Sequence, residues 1–375
     1  MEEFNKKWSR INFLLSHMTV NITTGSLKDR LVISVVAMVN VLFFVCLFLH
    51  LWNSEFALNF NILVSGLTFF GCAHYLFRLA VGFFKVDLYT ELMQKIKALY
   101  TEKGDDEEDE QILAKHLMNS LKIFSLIDKC FSVLYVLAGM MTGVYFRYNP
   151  DYGLMIDLPF ISLDIFQGNF LWREFPYFIQ EYFYTSFGVT VIILDLGIIF
   201  MGIQVIAELN ILTDSMNLLN EKIKTHPMFL HRIIRRHCSL IENINLLNDI
   251  IAESSFVQLM LTFATILFGM TFLITYTTGY VNYIIVCGSG GIGLSICILG
   301  EFIRNKTESL SDTLYMTNWY DLSAKDQKIF LIMLGMAQRG YGLKSAGMYD
   351  INLYTFVQIF KIAFSYSAVL YSLSN

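Results

Sequence analysis

The side chains best placed for chemistry lie near the C-terminal end of the chain. Between residues 352 and 374 an apolar helical run mixes Ser365, Ser367 and Ser372 with Val369, Leu370 and Leu373. A helix that faces only lipid has no need of hydroxyls at this density, whereas one bordering a water-filled path through a membrane does. That chemistry is passage rather than catalysis. No nucleophile–base pair, phosphate loop or metal-ligand spacing appears, and His74, His116, His226, His231 and His237 are scattered. The chain is read as a non-enzyme without a cofactor, and nothing supports nucleic-acid binding. Charges inside apolar runs are costly and call for a partner. Asp195, midway along one run, is expected to face a water-filled cavity or to pair with a neighbour such as His74. Arg78 and Lys129 are placed to snorkel, and Asp128 and Lys129 to neutralise each other locally.

These residues need helices to hold them. Of 375 residues, 55% are hydrophobic and 16% charged, and the mean hydropathy is +0.52. A soluble domain has about 25% charged residues, so so little charge predicts an all-α, polytopic membrane protein. The four prolines fit long uninterrupted helices. Runs long enough to cross a bilayer fall at about 31–51, 60–83, 121–145, 178–208, 256–279, 281–303 and 352–374. That makes seven transmembrane helices. The 329–339 run is too short to span and reads as the inner half of a broken seventh element, followed by a turn with Gly340, Gly342 and Gly347. The first run comes too late and is too long for a cleaved signal, so it is expected to target the chain and remain. Of the six cysteines, five fall in apolar runs and Cys238 in a basic stretch; no disulfide framework is expected, and all six read as small buried hydrophobes.

Lys and Arg set the orientation. Residues 1–30 hold five, 85–122 six, 209–255 five and 304–328 four, against none in 52–59 and two in 146–177. This predicts a cytoplasmic N-terminus and an extracellular C-terminus. The sequons at Asn21 and Asn305 then lie inside and go unmodified. The inside segments carry apolar stripes at helical spacing. One has Tyr89, Leu92, Met93, Ile96, Leu99 and Tyr100; the other has Leu230, Ile233, Ile234, His237, Ile241, Ile244 and Ile251. Such stripes need a partner surface, either other helices or the bilayer surface. The acidic run 104–110 reads as a solvated, mobile linker. The external segment 146–177, with Pro150, Pro159, Pro176, Phe160, Phe166, Phe170, Trp172 and Phe175, is apolar enough to fold back as a lid. Gly288, Gly290, Gly291 and Gly293 predict close helix packing, or a bend, in span six.

The C-terminal sixty residues resemble the signature of the insect odorant receptors. The matching pieces are Asn318-Trp319-Tyr320, Ala337-Gln338-Arg339, Ala346-Gly347, Leu353-Tyr354-Thr355-Phe356 and Ser365-Tyr366-Ser367. The resemblance extends faintly to Pro176-Tyr177, Gln180 and Asp195. It implies a tetrameric ligand-gated channel in which a small volatile binds among the outer halves of spans two to six. A fitting site is aromatic with few hydrogen-bonding groups. The outer-half candidates are Phe69, Phe70, Tyr135, Met141, Thr142, Tyr145, Tyr184, Phe187, Phe272, Tyr276, Tyr280 and Tyr283. The same residues serve equally as interhelical core or as an interfacial belt. Met140 beside Met141 adds adaptable surface or plain filler. The resemblance also implies a hydrophobic gate on the last helix. Matched spacing makes Val369 the constriction, with Ser365 one turn further in and Ser372 and Leu373 one turn further out. Ser372 stands where the co-receptor type has Gln.

Together these imply an odorant-gated, non-selective cation channel subunit in the plasma membrane of sensory neurons, touching membrane lipid. It is expected to tune a heterotetramer with an odorant co-receptor, because it lacks that protein's long cytoplasmic insertion. Its organisation is read as an N-terminal segment 1–30, spans one to four with the pocket and lid over 31–208, anchor helices with spans five and six over 209–351, and a pore helix over 352–375. Three alternatives stay open. A gustatory-type homomeric channel is disfavoured by Ser365-Tyr366-Ser367. A metabotropic seven-span chemoreceptor is disfavoured by the topology and by missing Asp-Arg-Tyr and Asn-Pro-x-x-Tyr motifs. A transporter is disfavoured by the lack of internal repeats.

Overall fold

The computed structural model describes residues 2–20, 27–54, 60–104, 106–149, 153–159, 170–222, 228–275 and 280–374. Eleven α-helices run through them: α1 (Glu2–Met18), α2 (Leu27–Asn53), α3 (Phe60–Phe84), α4 (Val86–Leu99), α5 (Glu107–Tyr148), α6 (Phe170–Asn217), α7 (Leu219–Lys222), α8 (Met228–Thr275), α9 (Tyr280–Tyr315), α10 (Ala324–Ala337) and α11 (Leu353–Ser374). The protein is an all-α polytopic bundle. Among the described residues α2, α3, α5, α6 and α8 are each long and apolar enough to cross a membrane, and Leu353–Val369 of α11 is a shorter apolar helix.

α6 is the hub. It packs against α1, α2, α5, α8 and α9, and 83% of its most apolar stretch is buried, against 6% for α5. Apolar surface alone does not decide this, because lipid covers it as well as protein does; α6 is central because these five helices pack around it. α5 and α8 extend well past the length a bilayer needs. Their overhangs form one large core with α1, α4 and the far half of α6. There the stripes find their partners: Tyr89, Leu92, Met93 and Ile96 of α4, and Leu230, Ile233, His237, Ile244 and Ile251 of α8, are buried against other helices. Each such aliphatic side chain contributes about 1.5–3 kcal/mol by leaving water.

Several local expectations give way. The acidic run does not make a linker. Asp106 caps α5 by accepting from the Asp109 amide at 2.9 Å, and Glu107, Glu108, Asp109 and Glu110 fill the first turn, where the helix dipole favours anions. Asp109 is fully buried and pairs with Arg232, while Lys222 pairs with Asp106 at 2.6 Å and Glu108 at 3.1 Å. Within the N-terminal segment, residues 2–18 form helix α1 and bury Phe4, Ile11, Leu14 and Met18 in the main core. Asp128 is neutralised by Arg10 of α1 at 2.7 Å rather than by Lys129. Cys46, Cys72 and Cys297 are buried, but Cys130 and Cys238 are exposed.

The connection between α10 and α11 is a two-stranded hairpin, β1 (Lys344–Ser345) with β2 (Tyr349–Asp350), turning through Ala346 and Gly347 at positive φ. Asn352 then caps α11, accepting from the Thr355 amide at 2.8 Å. Gly300 of α9 lies against this hairpin so closely that a Cβ there would overlap the Ile351 carbonyl. Of the α9 glycine cluster, Gly293 lies so close to Thr262 of α8 that a Cβ would overlap that side chain, whereas Gly291 has open space beside it; the surroundings of Gly288 and Gly290 lie outside what is described.

Candidate functional site

At the end of the bundle remote from α4, aromatic rings from α2, α3, α5 and α6 converge. Phe43 of α2 stacks on Phe183 at 5.2 Å and meets Tyr184 edge-on at 5.2 Å and Phe187 at 6.0 Å. Tyr184 also takes Phe146 of α5 edge-on at 5.3 Å. Phe44 stacks on Phe69 at 4.6 Å. Polar atoms are few: the Tyr184 hydroxyl lies 3.4 Å from Thr68 Oγ1 and 3.9 Å from Met155 Sδ. Offset and edge-on rings with one or two hydroxyls suit a small apolar or aromatic molecule. Among the described residues no group of three His, Cys, Asp or Glu side chains could hold a metal ion.

The segment 153–158 closes this end. Met155 and Ile156 are fully buried, and a polar clamp ties the strap to three helices. The Met155 amide donates to Gln180 Oε1 at 2.7 Å, and the Asp157 amide to the Cys46 carbonyl at 3.2 Å. Asn53 donates to Asp157 at 2.9 Å, His50 lies 3.3 Å from the same carboxylate, and Asn61 donates to the Leu154 carbonyl at 2.9 Å. Residues 153–158 fold back onto the bundle, whereas Trp172 and Phe175 belong to α6 and are exposed; Pro150, Phe160 and Phe166 lie outside the described residues. The His50 hydrogen bond holds the Asp157 carboxyl below its usual range. Its contribution is therefore full at neutral pH and is lost only as pH falls through that lowered value. Asp157→Ala removes a charge-assisted contact of about 1.5–3 kcal/mol. Hydrogen exchange at Met155 and Ile156 is expected to quicken by roughly tenfold or more, while exchange in α4 stays unchanged.

Of the twelve pocket candidates, Phe69, Tyr145, Tyr184 and Phe187 are brought together around this cluster. Phe70 and Met141 point outward, 59% and 69% exposed. Tyr135 lies deeper along α5, stacked on Phe131 at 6.1 Å. Tyr276 lies outside the described residues, as do the side chains of Thr142, Phe272, Tyr280 and Tyr283. Phe43, Phe44, Phe146, Phe183 and Met155 were not singled out by sequence. Phe43 and Phe44 sit in α2, whose run is apolar on every face, so no periodicity marks its inward side.

Beneath the cluster, Phe187 meets Tyr75 edge-on at 6.4 Å, and the Tyr75 hydroxyl lies 3.1 Å from His17 Nε2 of α1. One turn deeper Asp195 pairs with Arg78 at 2.6 Å, both nearly buried. His74, the expected partner, instead lies 3.3 Å from the Ser254 carbonyl. Arg78 does not snorkel, because Asp195 gives it a buried counter-ion.

α11 presents two faces. Phe356, Ile359, Ala363 and Ser367 pack toward α8 and α9. Ser365, Val369 and Ser372 lie on the opposite side and are exposed. Ser365 and Ser372 donate to the Lys361 and Val369 carbonyls of their own helix, at 2.9 and 2.8 Å. The Leu373 side chain lies outside the described residues.

A sequence model of seven-transmembrane odorant receptors matches residues 59–364. The chain belongs to the odorant receptor family. This bears out the resemblance to the odorant receptors and extends it over most of the chain, ending just before Ser365-Tyr366-Ser367. Odorant receptor 85b of Drosophila melanogaster is 22% identical over 296 residues, 75% of this chain and 74% of that receptor. Odorant receptor 33c of the same species is 28% identical over 158 residues, spanning 40% of this chain and 41% of that receptor. The olfactory receptor OR5 of Machilis hrabei, solved in complex with eugenol, superposes over 100% of both chains with a TM-score of 0.75 at 12% identity. A second structure of OR5 covers 98% of this chain and 99% of that one, with a TM-score of 0.66 at 11% identity. The last two establish the fold: this odorant receptor is a multi-pass helical membrane protein.

Proposed function

We propose that this odorant receptor is a subunit of an odorant-gated, non-selective cation channel in the plasma membrane of sensory neurons. Its N-terminus is cytoplasmic and its C-terminus extracellular, as the Lys and Arg distribution favours. The observation that carries the channel reading is the outward face of α11, where Ser365, Val369 and Ser372 lie exposed on the side away from the bundle. With their hydroxyls bonded to the helix's own carbonyls, the serines need no second helix. Four such faces around an axis would make a path with serine rings on either side of a valine constriction, closed by dewetting rather than by charge. The family supports a tetramer completed by an odorant co-receptor.

The ligand is a small, mostly apolar or aromatic volatile held among Phe69, Tyr145, Tyr184 and Phe187 beneath the 153–158 strap. The likeness to a receptor solved with eugenol supports that class. Ligand opens the gate only by binding the open arrangement better than the closed one. α8 and α9, which pack on α11, are the route to it. Val369→Ser should let water through the constriction. Whole-cell recordings are then expected to show ligand-independent current up by roughly tenfold, the equivalent of about 1.4 kcal/mol on the closed state. A silent, normally gated variant would move the gate away from Val369.

A further inference from the structure

Two cavities flank α1 where it lies along α5, and they differ in character. The first, about 410 Å³, is bordered by Lys7, Lys122 and Lys129 together with Ser125, Met118 and Leu126. Lys7 Nζ donates to Ser125 Oγ at 2.9 Å, which fixes one ammonium at its rim. Glu3 also borders it, but Lys6 neutralises that carboxylate at 2.8 Å. The field there is positive enough that Lys6, and after it Lys7 and Lys122, hold the Glu3 carboxyl below its usual range. Lys122 and Lys129 are exposed, and so are the apolar Leu126 between them and Met118 one turn before Lys122. The second cavity, about 320 Å³, begins less than a turn beyond Lys129 at Ser132 of α5, and Phe13, Tyr135, Val136 and Ile192 make it largely apolar. Arg10 stands between the two, tied to Asp128 at 2.7 Å and Ser132 at 3.3 Å.

A basic cradle followed along the same helix pair by an apolar lane is complementary to one molecule with an anionic head and a hydrocarbon tail. We propose that the α1–α5 seam is a binding site for an anionic phospholipid, its phosphate among Lys7, Lys122 and Lys129 and one acyl chain in the lane beside Tyr135 and Val136. A soluble anion would satisfy the lysines, but it leaves Leu126, Met118 and the lane exposed. Phospholipid covers both, and the α5 surface beyond it continues apolar through Val133, Leu134 and Leu137, all exposed. Basic side chains beside a hydrocarbon phase lay their stems on apolar surface and their ammonium groups at the headgroup level. The choice of leaflet rests on the orientation proposed above; the site itself does not.

The site sits on α1, whose other end reaches the core beneath the aromatic cluster through His17 and Tyr75. The test is nevertheless binding, so that failure of the channel reading leaves it intact. The receptor, purified in detergent through a tag on this chain together with the co-receptor it assembles with, is titrated with three probes. They are short-chain phosphatidylserine, phosphatidylcholine of the same chains, and chain-free glycerophosphoserine. Phosphatidylserine is expected to bind most tightly, and Lys7→Gln/Lys122→Gln/Lys129→Gln to weaken it on the order of a hundredfold, about fivefold per lysine near an anionic surface. The three arginine replacements should retain binding. Val136→Ser with Leu126→Ser should weaken both lipids alike. If the triple variant is not monodisperse, Lys122→Gln and Lys129→Gln alone, neither carrying an internal ion pair among the described residues, are each expected to lose about fivefold. Equal binding of the two lipids, retention of phosphatidylserine by the glutamine variants, or glycerophosphoserine binding as tightly as the lipid would overturn the proposal, the last in favour of a soluble anion.

Discussion

Arg78→Ala is expected to destabilise the folded receptor by about 3–5 kcal/mol, and Asp195→Ala by a similar amount. The two side chains are 5% and 9% exposed, and their 2.6 Å contact joins α3 to α6, the hub of the bundle. Removing either partner strands the other charge where neither water nor a second counter-ion reaches it; Asp195 is a carboxylate within an apolar run of α6 and Arg78 a guanidinium within one of α3. The cost is that of the stranded charge, not the worth of the pair. Arg78→Met with Asp195→Leu removes both charges and keeps the volume, so it should recover most of the loss or exceed the parent. Thermal unfolding of detergent-solubilised protein reads this directly. Single variants as stable as the parent, or a double variant as unstable as the singles, would mean that the pair is not buried as a pair.

The second large effect falls on Tyr184. Its ring is the one shared by the α2, α5 and α6 aromatics, edge-on to both Phe43 and Phe146. Tyr184→Ala removes about 1.5–3 kcal/mol of apolar burial and about 0.5–1.5 kcal/mol for each edge-on pair. With surface expression matched, the odorant concentration for half-maximal response is expected to rise on the order of a hundredfold. Tyr184→Phe keeps the ring and loses only the weak hydroxyl contacts with Thr68 and Met155, so a shift within about tenfold is expected. Phe48→Ala supplies the control: that ring, 46% exposed on α2, packs toward Trp52 and Phe69 at the edge of the cluster. Equal shifts at Tyr184 and Phe48 would place the ligand elsewhere.

The long helices were legible because hydrophobic run length is a property of a single segment. The stripes of α4 and of the first half of α8 were legible for the same reason: period 3.6 marks a buried face whatever covers it. What stayed hidden was pairing across the chain. Asp195 meets Arg78 rather than His74 because of how α3 is rotated, and nothing local in either run encodes rotation. Phe43 and Phe44 were passed over because α2 is apolar on every side. One misreading had a local signal that went unused: Asp106 followed by four acidic residues is a cap and first turn, not a linker. Phe4, Ile11, Leu14 and Met18 of the N-terminal segment also lie on one helical face that the sequence reading did not single out. For the site, sequence gave a set of aromatics without their directions; the strap and its clamp of His50, Asn53, Asn61 and Asp157 joins residues about a hundred positions apart and had no local trace.

The most direct test of the central claim is whole-cell current, with G-protein signalling blocked, in cells expressing this receptor alone, the co-receptor alone, and both, across a panel of small aromatic and apolar volatiles. The account predicts a cation current of new odorant specificity only in cells with both, shifted by Tyr184→Ala and leaky in Val369→Ser. Absence of current in every combination, with both proteins at the surface, would contradict it, as would an odorant response that disappears when G-protein signalling is blocked.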